Sequence, residues 1–498
     1  MQIEVRPIDR LRGKNAVDLA PVLTALANAA RDGTVDLSRL RVVLDYVQYR
    51  QNFRNAVDVR QVHDGVNGGR THNGGAATAS EPIEVALDLR RTGSVDIDRL
   101  LGRALGVGET VAPRRHYCEA WQPIQASCIW AFNGLYWNHL GLWEEATGRE
   151  YEQALPGGET DARNTAAAQE LILELFRVWD GLAARRALPE DLHVLEVGVG
   201  NGNQAKVWLD EFFRLDQELH QGEYYRRLHY LMGDYSPHVL ERARQTVKRH
   251  AEKTSSLAFD ARMPRDTLGF LRGKAFLIYI SNVYDNLPTD EIVRFGSQVF
   301  RVEVRAYVPG SDADKIAAEL NIQPDELPGM VARLLDLGPE LLARAAPDRF
   351  PNGPSSTVAL WRSVWEALKL EERYVLIEGI DAYDLAPGVS GDVLRQLTLM
   401  TGDVRMHTNN GAAASFVDSL PLLHPFGILQ CHDLFVTDLL QYKTGFRGPG
   451  KYDGSVVNWV NGPLLASIGR RFGFEVTFQP FAHRPGSNIT TMSARVRE

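Results

Sequence analysis

The chain has 498 residues, with 55 Lys and Arg against 63 Asp and Glu for a net charge of −8, and 44% of it is hydrophobic. That balance excludes a disordered or collagen-like chain, and the lack of a cationic excess argues against nucleic acid as the partner. Three cysteines (Cys118, Cys128, Cys431) cannot build a disulfide framework, no stretch reaches the roughly 20 apolar residues of a membrane span, and the opening residues lack a secretory apolar core, so a cytoplasmic protein with no membrane partner is expected.

Residues 1–115 read as a mixed α/β region, with helical patterns over Ala16–Arg31 and Ile97–Ala104 and a strand or helix over Leu40–Val47. The glycine-rich stretch Asp64–Ser80 has no strand before it and no helix after it, and reads as a surface loop. Residues 116–190 are aromatic, with Trp121, Trp130, Trp137 and Trp143 among Tyr117, Phe132 and Tyr136. They suit a packed helical layer or a lid that stacks on a substrate. A helix over Asn164–Arg185 carries Ile172, Leu175, Phe176, Trp179 and Leu182 on one face.

Strands and helices alternate over residues 191–300. The strands are Leu192–Val197, Leu228–Met232, Ser256–Phe259 and Phe276–Ser281, and the helices Gln204–Leu215, Pro237–His250 and Asp290–Phe300. Such alternation implies a parallel sheet with helices on its faces. Residues 301–408 break the rhythm, with a strand over Val302–Val308, helical Asp312–Ala345, a helix over Ser356–Leu370 and a strand over Arg373–Ile380, and read as an inserted cap subdomain. Residues 409–498 resume it with helices over Ala412–Leu423 and Gly462–Phe472 and strands over Ile428–His432, Phe474–Gln479 and Asn488–Val496.

The most informative segment is HVLEVGVGNGNQAKVWL, His193–Leu209. A strand ending in Glu196 runs into Gly198, Gly200, Asn201 and Gly202, then a helix. Glycines let backbone turn sharply against a ligand, and the first helical turn offers free N–H groups to an anion. A dinucleotide turn would want its third glycine at position 203, which is Asn203. The spacing instead resembles the first motif of class I S-adenosylmethionine (SAM)-dependent methyltransferases.

In LHYLMGDYSPHVLERAR, Asp234 ends a second apolar strand, with Tyr235 beside it and Ser236 and Pro237 placed to start a helix. An acid there suits a ribose diol. Asp260 and Ala261 follow a third strand and suit the adenine. In LIYISNVYDNLPTDEI, Ser281 and Asn282 would face the methyl donor and Asp285 the acceptor. The plainer alternative for this last segment is a turn before a helix capped by Thr289.

The order of segments resembles the MidA family, which includes the mitochondrial complex I assembly arginine methyltransferase. Glu196, Gly198, Gly200 and Gly202 match its Glu-x-Gly-x-Gly-x-Gly turn, and Asn282, Asp285, Leu287 and Pro288 match its fourth-strand motif, without the family's Glu and one residue shorter. GLYWNHLGLWEEATGREYEQA, GILQCHDLFVTDLLQY with Asp433, and YDGSVVNWVNGPLLASIGRRFGFEV with Asn461 for the usual Asp carry the likeness over Phe132–Glu498, around the 301–408 insertion. The resemblance implies a Rossmann-like class I methyltransferase fold, a mostly parallel seven-stranded sheet, SAM as cofactor and methyl transfer as the reaction. The acceptor is left as a small molecule or a protein side chain, and a homodimer stays open.

Methyl transfer is an in-line displacement on an activated donor, so alignment supplies most of the rate and a base serves only a protonated nucleophile. Asp285 is the first candidate base, with His407, His432 and Asp433 as alternatives. No metal-ligand spacing is present, since Cys431 and His432 are adjacent and face opposite ways on a strand. Gly445–Gly454, with Arg447 and Lys451, reads as a mobile lid or a solvated loop. A nicotinamide-dependent oxidoreductase and a non-catalytic SAM-binding assembly factor are the competing functions.

Overall fold

The computed structural model describes residues 2–6, 20–31, 36–45, 47, 51–63, 82–92, 113–149, 151 and 165–497. Ile97–Ala104 and Asp64–Ser80 lie outside the described residues. Two large sheets organise the described chain in a mixed α/β architecture.

The first sheet has seven strands: β1 (Leu192–Val197), β2 (Leu228–Asp234), β3 (Thr254–Ala258), β4 (Ala275–Ser281), β5 (Leu423–Asp433), β6 (Phe474–Pro480) and β7 (Thr490–Val496). Their spatial order is β3-β2-β1-β4-β5-β7-β6. The pairs from β3 to β5 are parallel, and β7 runs antiparallel to both β5 and β6. The inner strands are continuous apolar runs because both faces are covered. Val194, Leu277 and Tyr279 pack under helices Thr165–Ala184 and Asn203–His220, with Ile172, Trp179, Trp208 and Phe212 in the same cluster. Leu195, Val197, Ile278 and Ile280 pack on the opposite face against Ala412 and Phe416 of Asn410–Ser419 and Leu464 and Leu465 of Gly462–Arg471.

The second sheet has ten strands and is assembled from distant parts of the chain. Gln2–Val5, Leu40–Asp45, Ile83–Asp88, Val57–His63, Lys369–Leu376, Gln298–Pro309, Glu291–Phe295 and Val404–His407 follow one another across it. Arg115–Tyr117 and Gln122–Pro123 add to Gln298–Pro309. The N-terminal region and residues 301–408 therefore share one sheet, joined where Val57–His63 pairs in parallel with Lys369–Leu376. Helices Cys128–Asn138, Leu327–Ala345 and Pro354–Ala367 cover it through Phe132, Leu334, Trp361 and Trp365.

One predicted helix is replaced outright. Asp290–Phe300 forms the hairpin Glu291–Phe295 and Gln298–Pro309, with Phe295 opposite Gln298. Gly296, at φ 57°, opens the two-residue turn, a geometry that suits the twist of paired strands. Thr289 thus caps nothing; its hydroxyl donates to the Asp290 carbonyl at 2.8 Å and accepts from the Asn409 N–H at 2.9 Å. The helical stretch at 312–345 divides into Gly310–Leu320 and Leu327–Ala345, the latter kinked at Gly338 (φ 73°) before Pro339.

Candidate active site

A cleft of about 1070 Å³ opens at the carboxyl edge of the seven-stranded sheet. Its floor is the turn after β1. Gly198, Gly200 and Gly202 sit at φ 75°, 55° and 81°, where only glycine is comfortable. Space demands them as well. A Cβ on Gly198 would stand 2.4 Å from Val283 Cγ2, on Gly200 2.6 Å from the Tyr151 hydroxyl, and on Gly202 2.9 Å from Ala243 Cα. The N–H groups of Gly198 and Val199 donate to the Gly233 carbonyl at 2.8 and 3.0 Å, pinning the turn to β2. Gly198, Gly200 and Asn201 line the cleft; Gly202 faces the helix Pro237–Thr246 instead.

Two acids lie under this turn. Glu196 is buried, with the Tyr230 hydroxyl donating to its Oε2 at 2.6 Å. Burial pushes the Glu196 carboxyl up to about 8, the Tyr230 bond opposing and the Asp234 charge adding. Asp234 accepts from the Gly200 N–H at 3.2 Å and the Ser236 N–H at 3.0 Å. Burial pushes it up to about 6 against those bonds. Ser236 caps Pro237–Thr246 and Pro237 opens it, as the sequence predicts. Tyr235, half exposed, lines the cleft beside Asp234. Asp260 and Ala261 line it after β3. Burial raises the Asp260 carboxyl, but hydrogen bonds from the Arg262 side chain at 2.9 and 2.6 Å outweigh it and hold the group below the ordinary range.

Ser281 and Asn282 line the cleft beyond β4, and the Asn282 N–H donates to the His432 carbonyl at 2.9 Å. Asp433, at the end of β5, organises the 283–285 turn. Its Oδ2 accepts from the N–H groups of Val283, Tyr284 and Asp285 at 3.2, 2.8 and 3.3 Å, and its Oδ1 from Leu434 at 2.7 Å. The Asp285 and Asp433 side chains hydrogen-bond to each other, and Asn286 Nδ2 donates to Asp285 Oδ1 at 2.7 Å. Burial, then the Asp433 charge, pushes Asp285 far above the carboxylate range, while burial lifts Asp433 to about 6 against four backbone donors. Burial and the facing charge therefore favour a protonated pair, and the backbone donors around Asp433 favour its charged form over that of Asp285.

The histidines separate. His432 lines the cleft; His407 does not. His407 ends a strand of the ten-stranded sheet, buried, with Nε2 donating to the Gly448 carbonyl at 2.9 Å. His407, one of the alternative bases, stays outside the cleft because Val404–His407 pairs with Glu291–Phe295 and never joins β5. The Gly445–Gly454 stretch is packed rather than a lid or solvated loop. Lys451 is buried and donates to the carbonyls of Glu366 and Leu368 at 3.0 and 2.8 Å. Asp453 Oδ2 accepts the Tyr136 hydroxyl at 3.1 Å and Trp143 Nε1 at 3.0 Å.

Trp130, Tyr136 and Trp137 of the aromatic helix form one wall. Sequence reasoning missed Tyr151, Gln204 and the segment 484–489. Gln204 is the second residue of the helix after the glycine turn, 7% exposed, and its Oε1 has no hydrogen-bond partner. The 484–489 segment reaches the cleft because β6 and β7 form a hairpin, and Pro485-Gly486 is its readable turn signal. Among the described residues no cluster of three or more His, Cys, Asp or Glu could hold a metal, and no helix is long and apolar enough to cross a membrane.

Residues 171–342 match a family model described as "Putative S-adenosyl-L-methionine-dependent methyltransferase". No protein of curated function matches the chain. Three solved structures from Burkholderia thailandensis are similar to it. A superfamily member bound to S-adenosyl-homocysteine is 14% identical at a TM-score of 0.40, covering 75% of this chain and 88% of its own. A native structure from that superfamily is 13% identical at 0.37, covering 75% and 87%. An O-methyltransferase family protein is 9% identical at 0.28, covering 67% and 57%. On the family match, the chain is a SAM-dependent methyltransferase with S-adenosyl-L-methionine as its cofactor.

Proposed function

We propose that the cleft holds SAM with its amino-acid tail at the glycine turn and Gln204, its ribose hydroxyls on Asp234, its adenine beside Asp260 and Ala261, and its methyl group toward Ser281 and Asn282. The observation that carries this reading is the cradle itself. Gly198 and Gly200 line the cleft at positive φ with no room for a Cβ, and Gln204, whose buried Oε1 has no partner, lines it beside them. An orphaned buried acceptor is costly unless a ligand satisfies it. The strand order β3-β2-β1-β4-β5-β7-β6 with β7 reversed supports the class I methyltransferase fold. In this reading residues 191–290 and 409–498, with the helix Thr165–Ala184, are the donor-binding core, and residues 291–300 belong with 301–408 to the ten-stranded sheet beside it.

Bound there, SAM supplies an electrophilic methyl group on a positively charged sulfur. The chain contributes alignment, exclusion of water and fixed charge. Asp433 holds the 283–285 turn through three N–H groups and so fixes the wall that the acceptor approaches. The acceptor is a small molecule rather than a protein side chain: the cavity is at the scale of small-ligand pockets and aromatic along one wall. The free thiols of Cys118, Cys128 and Cys431 favour a reducing compartment. Calorimetry with S-adenosylhomocysteine and with NADH tests the reading. The first binds and the second does not. Asp234→Ala weakens binding roughly tenfold or more, the effect of losing a charged hydrogen-bond partner. Binding of NADH alone, or of neither ligand, overturns it.

A further inference from the structure

The acceptor side of the cleft holds one imidazole in a fixed pose. His432 pairs across the sheet with Thr491 of β7, and its Nδ1 lies 2.9 Å from Thr491 Oγ1. Phe481 packs edge-on at 4.9 Å between ring centroids and Tyr279 lies at 5.4 Å. The ring lines the cleft, and its Nε2 finds no hydrogen-bond partner among the described residues. The neighbouring titratable groups are Asp433 on the same strand, Asp285 across from it, and His483 on the 481–489 segment. Burial, with His483 adding, pushes the ring down to about 4, so it is neutral at physiological pH.

Asp285 cannot take this part. Its carboxyl is already engaged, bonded to the Asp433 side chain and accepting from Asn286 Nδ2 at 2.7 Å. His432 is the group left with an open lone pair, and it is a weak base. A weak base removes a proton only from an atom that turns strongly acidic as the new bond forms. A hydroxyl oxygen gaining a methyl group while still protonated does so. A methylated amine does not, because an alkylammonium keeps its proton up to a pH of about 10. Trp130, Tyr136, Trp137 and Tyr151 line the same cavity, with Trp137 edge-on to both tyrosines, and favour a flat ring.

Resting on the methyltransferase reading above, we propose that the acceptor is an aromatic hydroxyl compound, a phenol or a ring-borne enol, whose proton passes to His432 Nε2 while Thr491 Oγ1 accepts Nδ1–H and holds the tautomer. The hydroxyl oxygen bonds to the methyl carbon as the carbon–sulfur bond breaks, with its electron pair staying on sulfur. The O–H proton goes to Nε2, and water removes it from the imidazolium. His432 is the catalytic residue and Thr491 the positioning residue.

The test uses the full chain, calorimetry with S-adenosylhomocysteine, and labelled methyl transfer from SAM to catechol, 7-hydroxycoumarin and 4-nitrophenol beside benzylamine and phenethylamine, aliphatic amines carried on a flat ring. At least one hydroxyl probe is methylated and neither amine is. His432→Gln lowers kcat by about 100-fold or more with the S-adenosylhomocysteine Kd within about twofold of the parent, as loss of a general base requires. Thr491→Val lowers kcat about tenfold and Thr491→Ser restores it, as expected for a group that orients a base. Histidine ¹⁵N spectra place the proton of His432 on Nδ1. A protein that binds S-adenosylhomocysteine yet methylates no hydroxyl probe, methylates an amine, carries the proton on Nε2 or ignores His432→Gln overturns this inference alone. A protein that does not bind it overturns the reading beneath.

Discussion

The two sheets treat buried charge in opposite ways. In the ten-stranded sheet most buried carboxylates face an arginine. Arg405 binds Glu372 with Nη1 and Nη2 at 2.8 and 3.0 Å and also pairs with Glu291. Arg60 pairs with Glu84 and Glu372 at 2.6 Å each, and Tyr374 donates to Glu84 at 2.6 Å. Arg6 and Arg54 share Asp45 at 3.3 and 3.0 Å. Glu84 and Glu372 are accordingly held low against their burial, although Asp58 is an exception, pushed up to about 7 by burial and then Glu372. At the edge of the seven-stranded sheet, Glu196, Asp234, Asp285 and Asp433 are all pushed up, and arginine charge figures among the causes for none of them. The first arrangement neutralises itself and ties strands together. The second is left short of positive charge, which suits a site completed by a cationic donor.

Opposite pH responses are the largest way to sharpen this contrast. Glu196 has a folded value of about 8 against 4.5 unfolded, so the folded chain binds the extra proton and its contribution is complete below 4.5. It is lost as pH rises toward 8, at up to about 1.4 kcal/mol per pH unit for one group. Glu372 moves the other way, to about 2, so its contribution is complete above 4.5 and is lost as pH falls toward 2. Hydrogen exchange resolved by segment should show Leu192–Val197 loosening on the alkaline side and Lys369–Leu376 on the acid side. Glu196→Gln, which keeps an acceptor for Tyr230, should flatten the alkaline limb alone. An unchanged alkaline limb in that variant would remove the contrast.

Breaking the ion network comes next. Arg405→Met leaves Glu291 and Glu372 buried without their shared partner, and costs about 3–5 kcal/mol in urea unfolding. Replacing all three with apolar residues of similar volume should recover most of that loss, because a buried network need not exceed a well-packed apolar core. Gly198→Ala is smaller in stability, about 1–3 kcal/mol, since it combines a φ of 75° with a Cβ 2.4 Å from Val283. Its stronger readout is S-adenosylhomocysteine binding, which should fall with the displaced turn while the acid limb of the pH profile stays put.

The same contrast explains what could be read from sequence. β1 (LHVLEV) and β4 (AFLIYIS) are apolar throughout, so their burial and the ligand edge after them are local signals. Asp234 is readable because it ends such a run just before a capped helix. The strands VDVRQVH and KLEERYVL carry Arg60 and Glu372 in their interiors, which read as solvent-facing residues. They are buried only because partners far along the chain neutralise them: Arg60 pairs with Glu84 and with Glu372, on strands that only the tertiary fold brings beside it. In Glu291–Phe295 the spacing of Ile292 and Phe295 fits a helix, and only the short Gly296-Ser297 turn decides for a hairpin. His432 is visible as a candidate, but its cross-strand partner Thr491 is 59 residues away and belongs to an antiparallel pairing that no local pattern announces.

The smallest expected effect tests the join between the two regions. Asp453, beside the strand Ser455–Val457, accepts from Tyr136 and Trp143 of the aromatic helices, and the carbonyl of Asp453 accepts from Trp365 Nε1 at 2.7 Å. Asp453→Asn keeps an acceptor oxygen in place but removes its charge, so two charge-assisted hydrogen bonds become neutral ones and stability falls by about 1 kcal/mol. Because that oxygen orients Tyr136 and, through it, the edge-on Trp137 in the cleft wall, tryptophan fluorescence should report the change more sharply than unfolding does. A variant with the parent's stability but a shifted emission would mean that Asp453 sets the shape of the acceptor wall without holding the sheets together. One that loses several kcal/mol would make this contact a main strut between them.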